Sequence, residues 1–263
     1  RSLVGKMVLH PAKVTKGTLK VGDQVTAQVD TEARTATQAH HTATHLLHAA
    51  LQDILGDHVH QAGSLVAPDR LRFDFTHFEA IPEERLMDIE RMVNRFIRTD
   101  CPVEVAHMSL DEARQKGAMA LFGEKYEDEV RVVKCDDISM ELCGGTHAPR
   151  TGVIGCFTII AETAISAGVR RIEALCGEPG MEAIQEREAK LSAAAKLLNT
   201  NPDELDTRIQ SLVEENRRLA REVTKWKQAA ATGGSVDYMA QAIDVKGIKL
   251  LATEVEGQDA SGT

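Results

Sequence analysis

Apolar positions recur along this chain at three different periods, and each change of period marks a new part. In residues 1–35, Val4, Met7, Val8, Val14, Leu19, Val21, Val25 and Val29 form short runs broken by Gly5, Pro11, Gly17 and Gly22-Asp23. Short strands separated by Gly-Asp turns predict a small β-barrel-like element or sheet that docks and packs without chemistry of its own. Thr31 to Gln38 leads into a helix. Ala39, Ala43, Leu46, Leu47, Ala49, Ala50, Leu51 and Leu55 lie in a stretch without Gly or Pro.

Through residues 36–178 the elements alternate. Leu65-Val66, then Leu71, Phe73 and Phe75 at period two, predict a hairpin that turns at Pro68-Asp69. Pro82-Glu83-Glu84 opens a helix running through Ile97, with Pro in the first turn and acids at the positive end. Val103, Val105 and Met108 read as a strand, Leu110 to Leu121 as an Ala-rich helix, and Val130, Val132 and Val133 as a strand leading to Cys135. Ile154 to Ala161 and Arg170 to Leu175 are two more apolar strands. Strands and helices mixed without a regular βαβ rhythm imply an α+β fold.

Residues 179–231 take up a third period. Met181, Ile184, Glu188, Leu191, Ala195 and Leu198 are spaced by three and four. Asn201-Pro202-Asp203-Glu204 starts a second helix, with Asn as N-cap and Pro at the first helical position. Leu205, Ile209, Leu212, Asn216, Leu219, Val223 and Trp226 continue the heptad. Two such helices joined by a short turn predict an antiparallel hairpin coiled coil. Asn216 occupies a core position, where a polar residue fixes register or partner number. Packing within the chain is the first expectation for this face, and self-association into a homo-oligomer the second. Residues 232–263 read as a linker at Thr232-Gly233-Gly234-Ser235 followed by the truncated start of a further β-rich domain. The missing initiator Met and the abrupt end suggest a piece of a longer protein.

Two short stretches about a hundred residues apart carry the candidate chemistry. His41 and His45 stand one turn apart on one face of the first helix, so both imidazoles reach one ion. Cys143-Gly144-Gly145-Thr146-His147 offers a thiolate and an imidazole around two glycines that let the backbone fold tightly. Alone, an HxxxH is commonly a surface pair and a CxxxH is weaker still. Together they complete a four-ligand nitrogen–sulfur set of the kind zinc prefers. The zinc-protease motif HExxH supplies a general base at its second position; here Thr42 stands there, so peptide hydrolysis by that route has no base. A metal held by all four is closed and shapes the site. A loose ligand leaves a position for water or a substrate amino group. Both readings stay open. His40 and His48 read as surface or supporting residues.

The sequence has 263 residues, 43% hydrophobic and 27% charged, which suits a soluble globular protein of two or more domains. No apolar run approaches the ~18 residues of a membrane span, and the N-terminus lacks the apolar core of a signal peptide. Five scattered cysteines do not make a disulfide framework, which favours the cytoplasm. The net charge of −9 argues against nonspecific gripping of nucleic acid, though a small basic patch can still meet an RNA end.

Several blocks in series, HTATHLLHAAL, HQAGSLV at 60–66, RLRFDF at 70–75, ELCGGTHAPRTGVIG at 141–155 and SAGVRRIEALCG at 166–177, resemble alanyl-tRNA synthetase. The similarity runs from residue 1 to about 240 and lies in that family's editing domain and the region C-terminal to it. The HxxxH…CxxxH pattern is shared with free-standing alanyl-tRNA editing proteins and in part with threonyl-tRNA synthetase. The resemblance implies one Zn2+ per chain on His41, His45, Cys143 and His147. It implies a reaction, hydrolysis of the ester of seryl- or glycyl-tRNA for alanine, and a partner, the 3′ acceptor end of that tRNA. It carries over Gln61 as a pocket residue.

An activation pocket made for alanine cannot sterically exclude glycine and rejects serine only modestly, so a second hydrolytic site makes physical sense. Gly144 and Gly145 are candidate backbone N–H donors to an oxyanion. Thr44 is a candidate hydroxyl sensor, although a helical Thr usually bonds its own backbone. Arg170 and Arg171 are candidates to touch the tRNA end. No general base emerges. No GxxxxGK[ST] motif is present, so ATP belongs only to an aminoacylation core that is absent here. The alternative is a zinc-stabilised tRNA-binding or dimerisation module without activity.

Overall fold

The computed structural model describes residues 2–4, 7–120, 126–232, 242–245 and 248–250. The chain divides into two compact units, Arg1–Ile184 and Gln185–Thr263.

The first unit opens with a hairpin of two three-residue strands, β1 (Ser2–Val4) and β2 (Met7–Leu9). No closed barrel forms among the described residues, and the chain from 10 to 30 holds no strand. Val14, Val21, Val25 and Val29 are exposed. A strand is stable only when a neighbour pairs its backbone and a core covers one face, and these isolated valines among Lys, Thr and Gly find neither.

Helix α1 (Thr31–Leu55) is capped by Asp30, whose carboxylate accepts the Ala33 N–H at 3.0 Å. It starts eight residues before its apolar stretch and ends at Gly56, whose φ of 112° breaks the helix. Hairpin β3 (Gln61–Val66) and β4 (Leu71–Thr76) comes next, as the alternation indicates. With β8 (Phe157–Ser166) and β9 (Val169–Cys176) it forms an antiparallel sheet of order β3-β4-β9-β8.

Helix α2 (Glu83–Arg98) begins behind Pro82. Leu71, Phe73, Phe75, Ile172 and Ala174 of the sheet meet Leu46, Leu47, Ala50 and Leu51 of α1 and Ile89, Val93 and Ile97 of α2 in one core. Burying a side chain of this size stabilises by roughly 1.5–3 kcal/mol.

A second antiparallel sheet, order β5-β6-β7, comprises β5 (Val103–Ser109), β6 (Glu129–Cys135) and β7 (Ser139–Leu142). Helix α3 (Leu110–Gln115) stops short of the Leu121 that composition suggested, because Gly117 turns the chain at φ 81°. Ile154 lies in a 3-10 turn at Thr151–Ile154 and not in β8. The mixture of antiparallel sheets and helices makes the fold α+β.

Helix α4 (Gly177–Leu197) leads out of the first unit, and α5 (Leu205–Thr232) lies in the second. They meet at the connecting turn, where Ala195 and Leu205 are buried and Thr200 N–H bonds the Ala195 carbonyl. Beyond the turn, Ile209, Leu219, Val223 and Trp226 are exposed, Trp226 by 75%. A side-by-side hairpin packed through this face is therefore not seen among the described residues: heptad spacing specifies an apolar stripe but not what covers it. The linker at 233–235 and most of the C-terminal segment lie outside the described residues. Within that segment the paired strands β10 (Ile243–Val245) and β11 (Ile248–Leu250) are described.

Candidate metal centre

The centre is built where α1 passes under the loop after β7. His41 and His45 sit one turn apart on α1. Cys143 and His147 sit at the two ends of the Gly144–Thr146 loop. One ligand-type atom from each residue lies within 4.8 Å of all the others. Cys143 Sγ is 3.4 Å from His41 Nε2 and 3.3 Å from His147 Nε2. These separations approach the ~3.6 Å edge set by tetrahedral ligands ~2.0–2.3 Å from zinc. The His41 and His147 rings stack at 4.2 Å, and His45 stands edge-on to both.

The far sides of the His41 and His147 imidazoles are also held by hydrogen bonds. His41 Nδ1 is 3.1 Å from the Thr146 carbonyl oxygen, which places its proton there and leaves the Nε2 lone pair facing Cys143. His147 Nδ1 is 3.1 Å from Thr42 Oγ1, the same hydroxyl that accepts the Ala148 N–H at 3.0 Å. The residue at the place of the protease glutamate is thus a positioning hydroxyl. His45 Nδ1 faces Glu141 Oε2 at 3.6 Å.

Arg131 on β6 fixes the loop from outside, donating to the carbonyls of Cys143 and Gly145 at 2.5 and 2.9 Å. A Cβ on Gly145 would run into the His41 ring, so only glycine lets the loop come this close to α1. Gly144 has no such neighbour.

The electrostatics suit metal ligands, which must bind as neutral imidazoles. Burial, reinforced by the neighbouring His45, lowers the His41 pKa to about 4. Burial and the two other imidazoles lower that of His147 to about 2. Burial also lowers His45, against the pull of Glu141. Glu141 is itself buried, which pushes its pKa up, but His45, His48 and the Ser139 hydroxyl outweigh this and it ends below the ordinary value. The donor set, the outer-side partners and the neutral imidazoles together fit zinc.

Comparison with known proteins bears on the same stretches. A family model for the threonyl and alanyl tRNA synthetase second additional domain matches residues 130–173, which include Cys143 and His147. The alanine–tRNA ligase of Halorhodospira halophila is 54% identical over 248 residues, covering 94% of this chain and 29% of the relative. That of Xanthomonas campestris pv. campestris is 48% identical over 260 residues, covering 99% and 30%. The ligase of Acidithiobacillus ferridurans is 50% identical over 256 residues, covering 97% and 29%.

The chain is homologous to a segment of alanine–tRNA ligases. It spans about 30% of the length of these relatives. The other candidate residues fall in different places. Gln61, at the start of β3, lines a separate cavity of about 380 Å³ with His48 and Glu141, and its Nε2 reaches Ser64 Oγ at 3.3 Å. Thr44 is buried and donates to the His40 carbonyl at 2.8 Å, the backbone bond usual for a helical threonine. Arg170 pairs with Glu162 at 2.5 and 2.6 Å, and Arg171 with Asp74 at 2.6 and 2.7 Å, so both guanidinium groups are already engaged.

Both supporting histidines are buried. His40 lies 2.9 Å from the Ala36 carbonyl and accepts the Cys176 N–H at 3.0 Å. Thr42, Arg131 and Glu141 escape reading from sequence. Their roles depend on chain segments about a hundred residues apart, or on a neighbour across a sheet. The one available signal is the acid two residues before Cys143.

Proposed function

We propose that this chain hydrolyses the ester of seryl- or glycyl-tRNA specific for alanine, as the proofreading part of an alanine–tRNA ligase. The observation that carries the reading is the four-residue centre itself: three neutral imidazoles and a thiol converge, two of the imidazoles hydrogen-bonded from behind, in a chain homologous to those ligases. His41, His45, Cys143 and His147 are the proposed holders of one Zn2+. A bound zinc supplies positive charge and, at an open coordination position, a Lewis acid.

The chain's own residues do the remaining work. Thr42, Thr146 and Glu141 orient the imidazoles, and Arg131 holds the loop. The Gly144 and Gly145 amides, which bond no backbone carbonyl among the described residues, are the proposed donors to the oxyanion. Gln61 is the proposed substrate contact. The 3′ end of tRNA for alanine is the proposed partner, with Arg170 and Arg171 as proposed contacts once they leave their carboxylates. We place the functional division after residue 178. The heptad stripe of α4 and α5 serves helix pairing, within the chain or between copies.

Single-turnover deacylation of seryl-, glycyl- and alanyl-tRNA, run beside metal analysis, tests the reading. Release of serine and glycine with alanine spared, lost on chelation, is expected. Tight binding of uncharged tRNA without any turnover would instead make the chain a binding module.

A further inference from the structure

A groove of about 580 Å³ runs along the metal loop. Its walls are Arg34 of α1, Val103 and Val105 of β5, Arg131 of β6 and the loop from Gly144 to Pro149. Among the described residues no carboxylate lines it, and its charged side chains are the two arginines. The whole chain carries 40 Asp and Glu against 31 Lys and Arg, so this groove is a local exception to the net charge of −9.

Neither arginine is neutralised. Arg34 is exposed, and its side chain bonds nothing among the described residues. Arg131 is half-buried, and its Nη1 donates to the carbonyls of Cys143 and Gly145, which leave its charge uncompensated. Only Nη1 bonds the loop, so Nε and Nη2 remain as donors. By contrast, Arg150, Arg170 and Arg171 each hold a carboxylate. A cation drawn partly out of water without a counter-charge favours the arrival of an anion. The loop adds donors of its own, because the N–H groups of Thr146 and His147 meet no acceptor among the described residues.

The rest of the lining narrows the anion. Val103 and Val105 form an apolar wall beside the cations, and Val105 is 47% exposed. A small inorganic anion would leave that wall in water. A nucleotide matches both parts, with phosphate on the arginines and ribose or base over the valines.

We propose that this groove holds a phosphodiester of the single-stranded 3′ end of tRNA, with Arg34 and Arg131 donating to its oxygens. The inference rests on the function proposed above and adds a preformed contact. Unlike Arg170 and Arg171, these two arginines need not leave a carboxylate to meet a phosphate. The loop between Cys143 and His147 is one wall of the groove, so a strand anchored here lies against the metal centre.

The test uses the full chain and an uncharged RNA hairpin carrying the acceptor stem and 3′ end of tRNA for alanine. Binding is measured between about 50 and 200 mM salt. Arg34→Gln, a change at an exposed position that leaves the fold intact, should weaken binding about fivefold. It should also lower the slope of log K against log salt by about 0.7, the share of one single-strand phosphate. Arg34→Lys keeps the charge and should keep the slope. An RNA with neutral methylphosphonates at its 3′-terminal linkages should bind wild type at least about fivefold more weakly, and should lose less with Arg34→Gln, since both changes remove one contact.

An unchanged slope in Arg34→Gln overturns the inference, as does wild-type binding that ignores salt. Equal affinity of wild type for the methylphosphonate RNA also overturns it and leaves the groove to a small anion. Capture through Arg34 without ester hydrolysis would defeat the deacylase reading and leave this contact standing. Hydrolysis with an unchanged slope would do the reverse.

Discussion

Cys143 is the one soft donor among imidazoles in the proposed zinc site, and two histidines point Nε2 at its sulfur. Cys143→Ala should cost more than the ~10–100-fold in metal affinity typical of an outer-shell change, and take deacylation with it. Zinc analysis after gel filtration and a single-turnover assay measure the two together. Gln61→His should act differently, since Gln61 lies in the neighbouring cavity: seryl-tRNA deacylation falls while zinc stays at about one per chain. Wild-type rates for Gln61→His would remove that residue from the site.

The lowered pKa values of His41 and His147 predict a pH dependence for the metal-free protein. The unfolded chain takes up protons at histidine near pH 6.5, whereas the folded centre refuses them down to about 4 and about 2. The stability from these groups is thus fully present above pH 6.5 and is lost as pH falls below it. Thermal melting of the apo protein at pH 7.5 and pH 5 should show the lower midpoint at pH 5. The four candidate ligands were legible at this scale because helical spacing and a Cys-Gly-Gly turn are local facts. Thr42 and Glu141 were not, because nothing near them in sequence names their partners.

At the scale of elements, the metal loop depends on one close approach. Gly145→Ala puts a methyl into the His41 ring, and relieving that overlap should cost about 1–3 kcal/mol. Gly144→Ala meets no atom and should be near neutral. Melting temperatures with zinc bound would separate them, and equal behaviour would show that the loop is not held against α1. On α5 the heptad face is exposed, so Ile209→Asp should shift stability by no more than about 0.5 kcal/mol while the chain is monomeric. A large loss, or a change in sedimentation, would show that a partner covers this face in solution. The α1 helix, the β3–β4 hairpin and α2 were readable because period and caps agree. The residue 10–30 segment was not, since strand formation rests on pairing supplied from elsewhere.

At the scale of the whole molecule, the principal core and the metal centre fall within residues 39–176. A chain cut after residue 178 should therefore fold cooperatively and retain about one zinc. Circular dichroism and elemental analysis check this, and loss of metal on truncation would reject the division placed there. None of the described helices is long and apolar enough to cross a membrane.

By itself the sequence determined the α+β class, the helices with matching caps and periods, the four candidate ligands and the kinship to alanine–tRNA ligases. Each of these is carried by spacing or by blocks of residues contiguous in the chain. Only the tertiary structure decided which side chains stand behind the ligands, that Arg170 and Arg171 are paired with carboxylates, and that α3 stops early. It also showed that the valines of 10–30 find no sheet and that Arg34 and Arg131 line one groove. All of these are contacts between residues distant in sequence or matters of burial. A one-dimensional pattern states what a residue can do, and packing selects the partner with which it does it.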